Sequence, residues 1–121
     1  MFKLNDELKK AISQIKPAMI ATASKEGRPN VSPKGSLRVL DDEHLMFVDL
    51  RSPKTMEDLK ENPYVAMIGY DPATRKGWRI WGKVDEILTA GDLYDQASKE
   101  YASKGKVNHA VKILIEKGGV F

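Results

Sequence analysis

The stretch Arg51-Ser52-Pro53-Lys54-Thr55 follows an apolar run, His44 to Leu50, and precedes a segment predicted as a short helix, Met56 to Asn62. Ser52 is a favourable helix N-cap and Pro53 a favourable first helical residue. The next N–H groups, through Lys54 and Thr55, are then unpaired at the positive end of a helix, where phosphates bind. Arg51 and Lys54 add two positive charges. A capped surface helix with two solvated cations has the same pattern, so the rest of the chain must distinguish a phosphate site from an ordinary helix start.

The composition of the chain limits the classes of function. Its 121 residues suffice for a single domain, and the absence of cysteine excludes disulfides, thiolate metal sites and cysteine nucleophiles. The net charge of +3 comes from scattered lysines and arginines, which favours small anionic ligands over nucleic acid. No apolar run reaches the ~20 residues of a membrane helix, and the start lacks the pattern of a secretory signal. We therefore expect no membrane association and a cytoplasmic location.

Hydrophobic periodicity predicts mostly strands. A first helix begins after Asn5, buries Leu8, Ala11, Ile12 and Ile15, and ends at Pro17. A later helix is predicted from Asp92 to about Lys104. Strands are predicted at Ala18 to Ser24, Asn30 to Leu40, His44 to Leu50, Tyr64 to Tyr70, Gly77 to Ile87 and Val107 to Lys117. Many strands joined by short turns, with few helices, indicate a small antiparallel barrel.

Two of these strands have unusual sequences. Pro33-Lys34-Gly35 interrupts the second strand, and proline and glycine within a strand mark a bulge or a close approach to the backbone. In the fifth strand, Trp78 and Trp81 lie on opposite faces, so both cannot point into one barrel core. Arg79 shares a face with Trp81. We expect one tryptophan inside the barrel and the other left to a partner chain.

Several common catalytic motifs are absent. The chain has neither a Walker A loop nor a G-x-G-x-x-G sequence, and no serine lies in G-x-S-x-G. His44 and His109 lack metal-ligand spacing and are interpreted as strand-edge or surface histidines. Asp41-Asp42-Glu43 is interpreted as a solvated turn. No metal site and no catalytic residue is predicted.

Two segments together resemble a known family. Ser32-Pro33-Lys34-Gly35-Ser36 is followed by Arg51-Ser52-Pro53-Lys54-Thr55 and then by Asn62-Pro63, and this order resembles the small FMN-binding split-barrel proteins related to pyridoxamine 5′-phosphate oxidase. The resemblance extends from Ala18-Met19-Ile20-Ala21-Thr22 to Gly77-Trp78-Arg79-Ile80-Trp81-Gly82-Lys83. It implies a mainly β, antiparallel, Greek-key-like split barrel that forms one domain.

The resemblance also implies a cofactor and a partner. The cofactor is FMN, held at the interface of a homodimer, with its phosphate on Arg51, Ser52, Lys54 and Thr55. The isoalloxazine ring lies along the backbone of Ser32, Pro33, Lys34, Gly35 and Ser36, where Gly35 has no side chain in the way. Lys34 either places positive charge near the ring or is an outward, solvated lysine. Arg79 and Trp81 are candidates to reach the flavin of the partner chain, and the alternative for Arg79 is a solvated strand residue.

The resemblance leaves the function open. The chain is shorter than the oxidase and has no extension for a second phosphate-bearing substrate, so pyridoxamine phosphate oxidation is not expected. A flavin-dependent oxidoreductase for an unidentified small molecule and a flavin electron carrier both remain, as does a split barrel that binds deazaflavin or haem. A basic barrel that stacks single-stranded nucleic acid on Trp78, Trp81 and Tyr70 is the last alternative, although Asp71, Asp85 and Glu86 flank these aromatics.

Overall fold

The computed structural model describes residues 1–121 as three helices and seven strands. None of the helices is long and apolar enough to cross a membrane. The helices are Asp6–Gln14 (α1), Pro53–Glu61 (α2) and Asp92–Glu100 (α3). The strands are Ala18–Ala23 (β1), Pro29–Lys34 (β2), Arg38–Val39 (β3), His44–Asp49 (β4), Tyr64–Asp71 (β5), Lys76–Leu88 (β6) and His109–Val120 (β7).

All seven strands form one antiparallel sheet in the order β2-β1-β5-β6-β7-β4-β3. β2 and β3 lie at opposite edges of this sheet, yet only Gly35, Ser36 and Leu37 connect them. This connection spans at most about 14 Å, whereas the outer strands of a flat seven-stranded sheet are about 29 Å apart. The sheet is therefore curled into an incompletely closed barrel, and the predicted split β-barrel is confirmed.

The structure corrects the predicted second strand. The predicted strand from Asn30 to Leu40, interrupted at Pro33-Lys34-Gly35, is two separate strands: the chain leaves the sheet after Lys34 and re-enters it at Arg38 on the other edge. The side chain of Leu37 is buried in the core, and the hydroxyl of Ser36 accepts a hydrogen bond from the N–H of Val48 at 3.0 Å. The proline and glycine therefore mark the point where the barrel is split.

The core fills the inside of the curled sheet. α1 closes one end of it with Leu8 and Ile12, and α3 covers a second, smaller cluster around Met46 and Ala97. Trp78 is completely buried, whereas Trp81 on the opposite face of β6 is 38% exposed. The expected division of the two tryptophans between the inside and the outside of the barrel is confirmed.

The ends of several elements differ from the prediction. Asn5 caps α1 as predicted, because its Oδ1 accepts the N–H of Leu8 at 2.8 Å. α3 ends at Glu100 rather than near Lys104, and β7 runs from His109 to Val120 rather than from Val107 to Lys117. β7 continues through its two glycines, of which Gly118 pairs with Ile80. A glycine is needed at this position because a Cβ would lie 2.6 Å from the carbonyl oxygen of Arg79.

Gly69 of β5 provides a test of the core. A Cβ there would lie 2.3 Å from Nε1 of Trp78, whose N–H donates to the carbonyl of Ile15. We therefore expect Gly69→Ala to lower the free energy of unfolding by about 1–3 kcal/mol. In Gly119→Ala, the matched control, the new Cβ meets open space. Urea denaturation of both variants measures the difference, and a Gly69→Ala protein as stable as the control would contradict this packing.

Candidate functional site

Two clefts meet at Arg51 and Ser52, between the end of β4 and the start of α2. The larger, with a volume of about 770 Å³, is called the His109 cleft and is lined by Asp49, Arg51, Ser52, Pro53, Met56, Glu57, Lys60, Asn108 and His109. The smaller, of about 380 Å³, is called the Gly35 cleft and is lined by Pro33, Lys34, Gly35, Ser36, Val48, Leu50, Arg51, Ser52, Tyr101 and Lys104. Both volumes are within the range of small-molecule sites.

The Gly35 cleft brings together most of the two segments singled out in the sequence. Pro33, Lys34, Gly35 and Ser36 form one wall, and Arg51 and Ser52 lie on another. Ser32 does not line the cleft; it lies on the same face of β2 as Lys34, by strand alternation. A Cβ on Gly35 would meet no atom within 4 Å, so the backbone here is open to a flat ligand.

Lys34 is buried rather than solvated, with only 8% of its surface exposed. Its ammonium donates a hydrogen bond to the hydroxyl of Ser52 and lies 5.7 Å from the centre of the Phe47 ring. Burial lowers the pKa of Lys34, and the nearby charge of Asp49 partly offsets this effect. The alternative of an outward lysine is wrong, and Lys34 places its positive charge next to the start of α2.

The first turn of α2 presents unpaired backbone donors. α2 begins at Pro53 as predicted, and its first intrahelical bond is donated by the N–H of Met56 to the carbonyl of Ser52 at 3.0 Å. The N–H groups of Lys54 and Thr55 precede that bond and have no intrahelical partner. The predicted side-chain cap is wrong, because the hydroxyl of Ser52 bonds to Lys34 instead of to the helix.

The side chains of Lys54 and Thr55 do not line either cleft. Nζ of Lys54 lies 3.1 Å from Oδ1 of Asp58, a fully buried carboxylate whose Oδ2 accepts a hydrogen bond from Thr22 at 2.9 Å. Hydrogen bonding to Asp58 and its negative charge raise the pKa of Lys54. Thr55 is buried and its hydroxyl lies 3.5 Å from Nδ2 of Asn30. In this structure, therefore, Lys54 and Thr55 contribute only their backbone N–H groups to the N-terminus of α2.

A buried carboxylate links the start of α2 to His109, and the sequence did not predict this pair. Oδ1 of Asp49 accepts the N–H of Ser52 at 2.8 Å, and Oδ2 lies 2.6 Å from Nδ1 of His109. The register of β4 and β7 pairs the two residues directly. Asp49 before a tight turn is a recognisable local signal. Its partner His109, 60 positions away, has no such local signal, because the contact depends on which strands pair.

Arg79 and Trp81 lie away from both clefts, on the outside of β6. The guanidinium of Arg79 lies 5.8 Å from the centre of the Trp81 ring and 5.3 Å from that of Phe121. Beside them is a shallow apolar depression, called here the outer apolar face, lined by Met19, Ala21, Val31, Ala66, Met67, Ile68 and Arg79. Within one chain, the structure therefore does not bring these two residues to the other candidate residues.

The burial of Trp78 also bears on the nucleic-acid alternative. Because Trp78 is completely enclosed, it cannot stack on a base. Tyr70 is half exposed, but its ring is stacked on Phe121 with centroids 6.3 Å apart. Of the three aromatic side chains proposed for that surface, Trp78 is therefore wrong, whereas Tyr70 and Trp81 are on the surface.

Comparisons with known proteins agree with the fold and with the sequence resemblance. Residues 4–118 match the family model described as pyridoxamine 5′-phosphate oxidase. The uncharacterized protein MJ0282 of Methanocaldococcus jannaschii is 34% identical over 112 residues, which cover 87% of this chain and 74% of that protein. A histidine-to-alanine variant of HupZ from Group A Streptococcus has a TM-score of 0.86 at 27% identity, with 97% of this chain and 98% of that chain covered.

More distant structures show the fold alone. An FMN-binding protein from Syntrophomonas wolfei has a TM-score of 0.87 at 15% identity, with 95% of this chain and 84% of that chain covered. An F420 reductase and HutZ, the haem storage protein of Vibrio cholerae, have TM-scores of 0.70 and 0.69 at 19% and 18% identity, and each covers at least 96% of this chain and 94% of its own.

Proposed function

The chain belongs to the pyridoxamine 5′-phosphate oxidase family, and we propose on this premise that it is a flavoprotein that binds FMN and acts as an oxidoreductase. The observation that carries the proposal is the meeting of the Gly35 cleft with the unpaired N-terminus of α2 at Arg51 and Ser52. A flavin mononucleotide has a flat ring and a phosphate, and these two neighbouring features match its two ends.

The residues of the Gly35 cleft suit an isoalloxazine ring. Val48, Leu50 and Pro33 offer apolar contact, and the open backbone at Gly35 offers peptide groups to the polar edge of the ring. Bound flavin supplies hydride or single-electron transfer, which this chain has no side chain to perform. The buried ammonium of Lys34 contributes a positive charge that favours the reduced, anionic flavin.

The phosphate is assigned to the start of α2, where the contributions are unequal. Arg51 is exposed and takes part in none of the ion pairs of the chain, so its guanidinium is available as a bidentate donor. A phosphate competes with Asp58 for Lys54, because Nζ of Lys54 lies 3.1 Å from Oδ1 of Asp58 and that oxygen has no hydrogen bond from another group. A buried acceptor without a partner costs about 1–3 kcal/mol. We therefore infer that Arg51 contributes more than Lys54.

The outer apolar face supports a homodimer with the flavin at its interface. Val31 is 62% exposed and Trp81 38%, and both are apolar side chains that a partner chain could cover. A two-fold axis through this face would bring β6 of one chain towards the flavin of the other, with Arg79 and Trp81 as the residues that reach it. The clefts of a single chain are open and gain a further wall by this arrangement.

The absorption spectrum tests the identity of the cofactor. The structural relatives include an F420 reductase and a haem storage protein, so deazaflavin and haem are the competing ligands. We expect the purified protein to be yellow, or to become so with FMN. A colourless protein that takes up no FMN would contradict the proposal. Saturable reoxidation of the reduced flavin by a specific acceptor would distinguish an enzyme from an electron carrier.

Replacing the two cations tests the phosphate assignment. Arg51→Ala together with Lys54→Ala should weaken FMN binding at least tenfold, because each charge-assisted contact is worth about 1.5–3 kcal/mol. Arg51→Ala alone should account for most of the loss. Riboflavin lacks the phosphate and should bind all variants alike, and Lys25→Ala in an exposed turn serves as the charge control. Equal losses for FMN and riboflavin would show that the phosphate lies elsewhere.

Gly35→Val tests the position of the ring. The new side chain points into open space, so thermal unfolding of the free protein should be unchanged. It also occupies the volume assigned to the ring, so FMN and riboflavin should both bind at least tenfold more weakly, in contrast to the Arg51 variant. Fluorescence titration measures both ligands. Normal uptake of FMN by Gly35→Val would place the ring in another cleft.

Sedimentation tests the dimer. Val31→Asp and Trp81→Ala should each shift the holo-protein from dimer to monomer and release FMN. Val31→Asp removes apolar contact, and Trp81→Ala also removes the aromatic group assigned to the flavin. Lys25→Ala is again the control. A wild-type protein that is a flavin-loaded monomer at micromolar concentration would refute the proposal.

A further inference from the structure

The two histidines of the chain differ in what their ring nitrogens contact. Both nitrogens of His44 face carboxylates, with Nδ1 2.8 Å from Asp41 and Nε2 3.4 Å from Asp85. His109 uses Nδ1 for Asp49, whereas its Nε2 has no hydrogen-bond or ion-pair partner in the chain. His109 lines the larger cleft, and its side chain is 28% exposed. Its Nε2 is therefore the one imidazole nitrogen available to a ligand.

Asp49 fixes this imidazole relative to the start of α2. One oxygen of its buried carboxylate accepts the N–H of Ser52, and the other holds Nδ1 of His109. The helix end and the imidazole are therefore attached to the same rigid group. His109 lines the same cleft as Arg51 and Ser52, so a phosphate bound in this cleft has both the guanidinium and the imidazole among its possible partners.

Charged groups of both signs surround His109. Asp49 of β4 carries the nearest negative charge, Glu57 and Lys60 face the cleft from α2, Arg51 lies at the turn, and the ammonium of Lys34 reaches Ser52. Without a proton on both ring nitrogens, Asp49 would repel the phosphate. With both protonated, the Asp49–His109 pair is neutral and Nε2–H becomes a donor.

We infer that His109, held by Asp49, is a further phosphate-binding residue of the FMN site, and that binding of a phosphate monoester is coupled to protonation of its imidazole. This inference rests on the proposed function for the identity of the ligand, but the chemistry requires only a phosphate group. Imidazole is the side chain that ordinarily changes charge between pH 5 and 8. FMN should therefore bind with proton uptake, and riboflavin without it.

Calorimetric titration of the apo-protein tests this coupling. FMN and riboflavin are titrated at pH 6, 7 and 8, each in two buffers of different ionisation enthalpy, with wild type, His109→Gln and the control His44→Gln. The phosphate of FMN also titrates near pH 6, but this contribution is common to all three proteins. The preference for FMN is the ratio of the riboflavin and FMN dissociation constants. Between pH 6 and pH 8 this ratio should fall about tenfold more for wild type than for His109→Gln.

The outcomes separate this inference from the proposed function. FMN binding by wild type without proton uptake, or with a pH dependence that His109→Gln retains, would overturn the inference and leave the flavoprotein intact. If wild type binds no FMN, the proposed function fails, and inorganic phosphate then serves as the probe. Phosphate should raise the midpoint of the His109 Cε1–H titration in the NMR spectrum and leave that of His44 unchanged. An unaltered His109 midpoint would overturn the inference, and this measurement needs no variant to fold.

Discussion

A connection of three residues between opposite edges of a seven-stranded sheet determines much of this structure. Gly35, Ser36 and Leu37 are too few to span a flat sheet, so the sheet must curl until its two edges approach each other. Leu37 is buried in the resulting core, and Ser36 bonds to Val48 near the end of β4. The curl therefore brings the end of β2 to the turn that starts α2. The candidate site lies where the two edges of the sheet approach each other, not in a separate insertion.

Several charged groups are buried around this point, and each has a specific partner. Asp49 holds His109 and the N–H of Ser52, Asp58 holds Thr22 and Lys54, and Lys34 donates to Ser52. Burial of charge opposes stability unless partners compensate, and apolar residues of similar size are often as stable. A concentration of paired charges at one helix end is therefore poorly explained by stability alone. It is consistent with a site whose electrostatics serve a ligand.

Local patterns in the sequence predicted the features that depend on neighbouring residues. The cap of α1 by Asn5, the start of α2 at Pro53 and the opposite orientations of Trp78 and Trp81 follow from spacing of a few residues. The features that were missed depend on which strands pair. The Asp49–His109 contact requires the register of β4 and β7, and the capture of the Ser52 hydroxyl by Lys34 requires the closure of the barrel. No periodicity within either segment contains that information.

The existing partners of the cations bear on how a phosphate would be recognised. Lys54 is paired with Asp58 and Lys34 with Ser52, so either lysine exchanges one contact for another when it turns to a ligand. The net gain from such an exchange is smaller than that from a free donor, because the abandoned group loses its partner, and for Lys54 that group is the fully buried Asp58. The guanidinium of Arg51, Nε2 of His109 and the first N–H groups of α2 have no partner to abandon. Recognition in the proposed complex is therefore expected to depend on these groups more than on the lysines, although the sequence motif draws attention to Lys54 first.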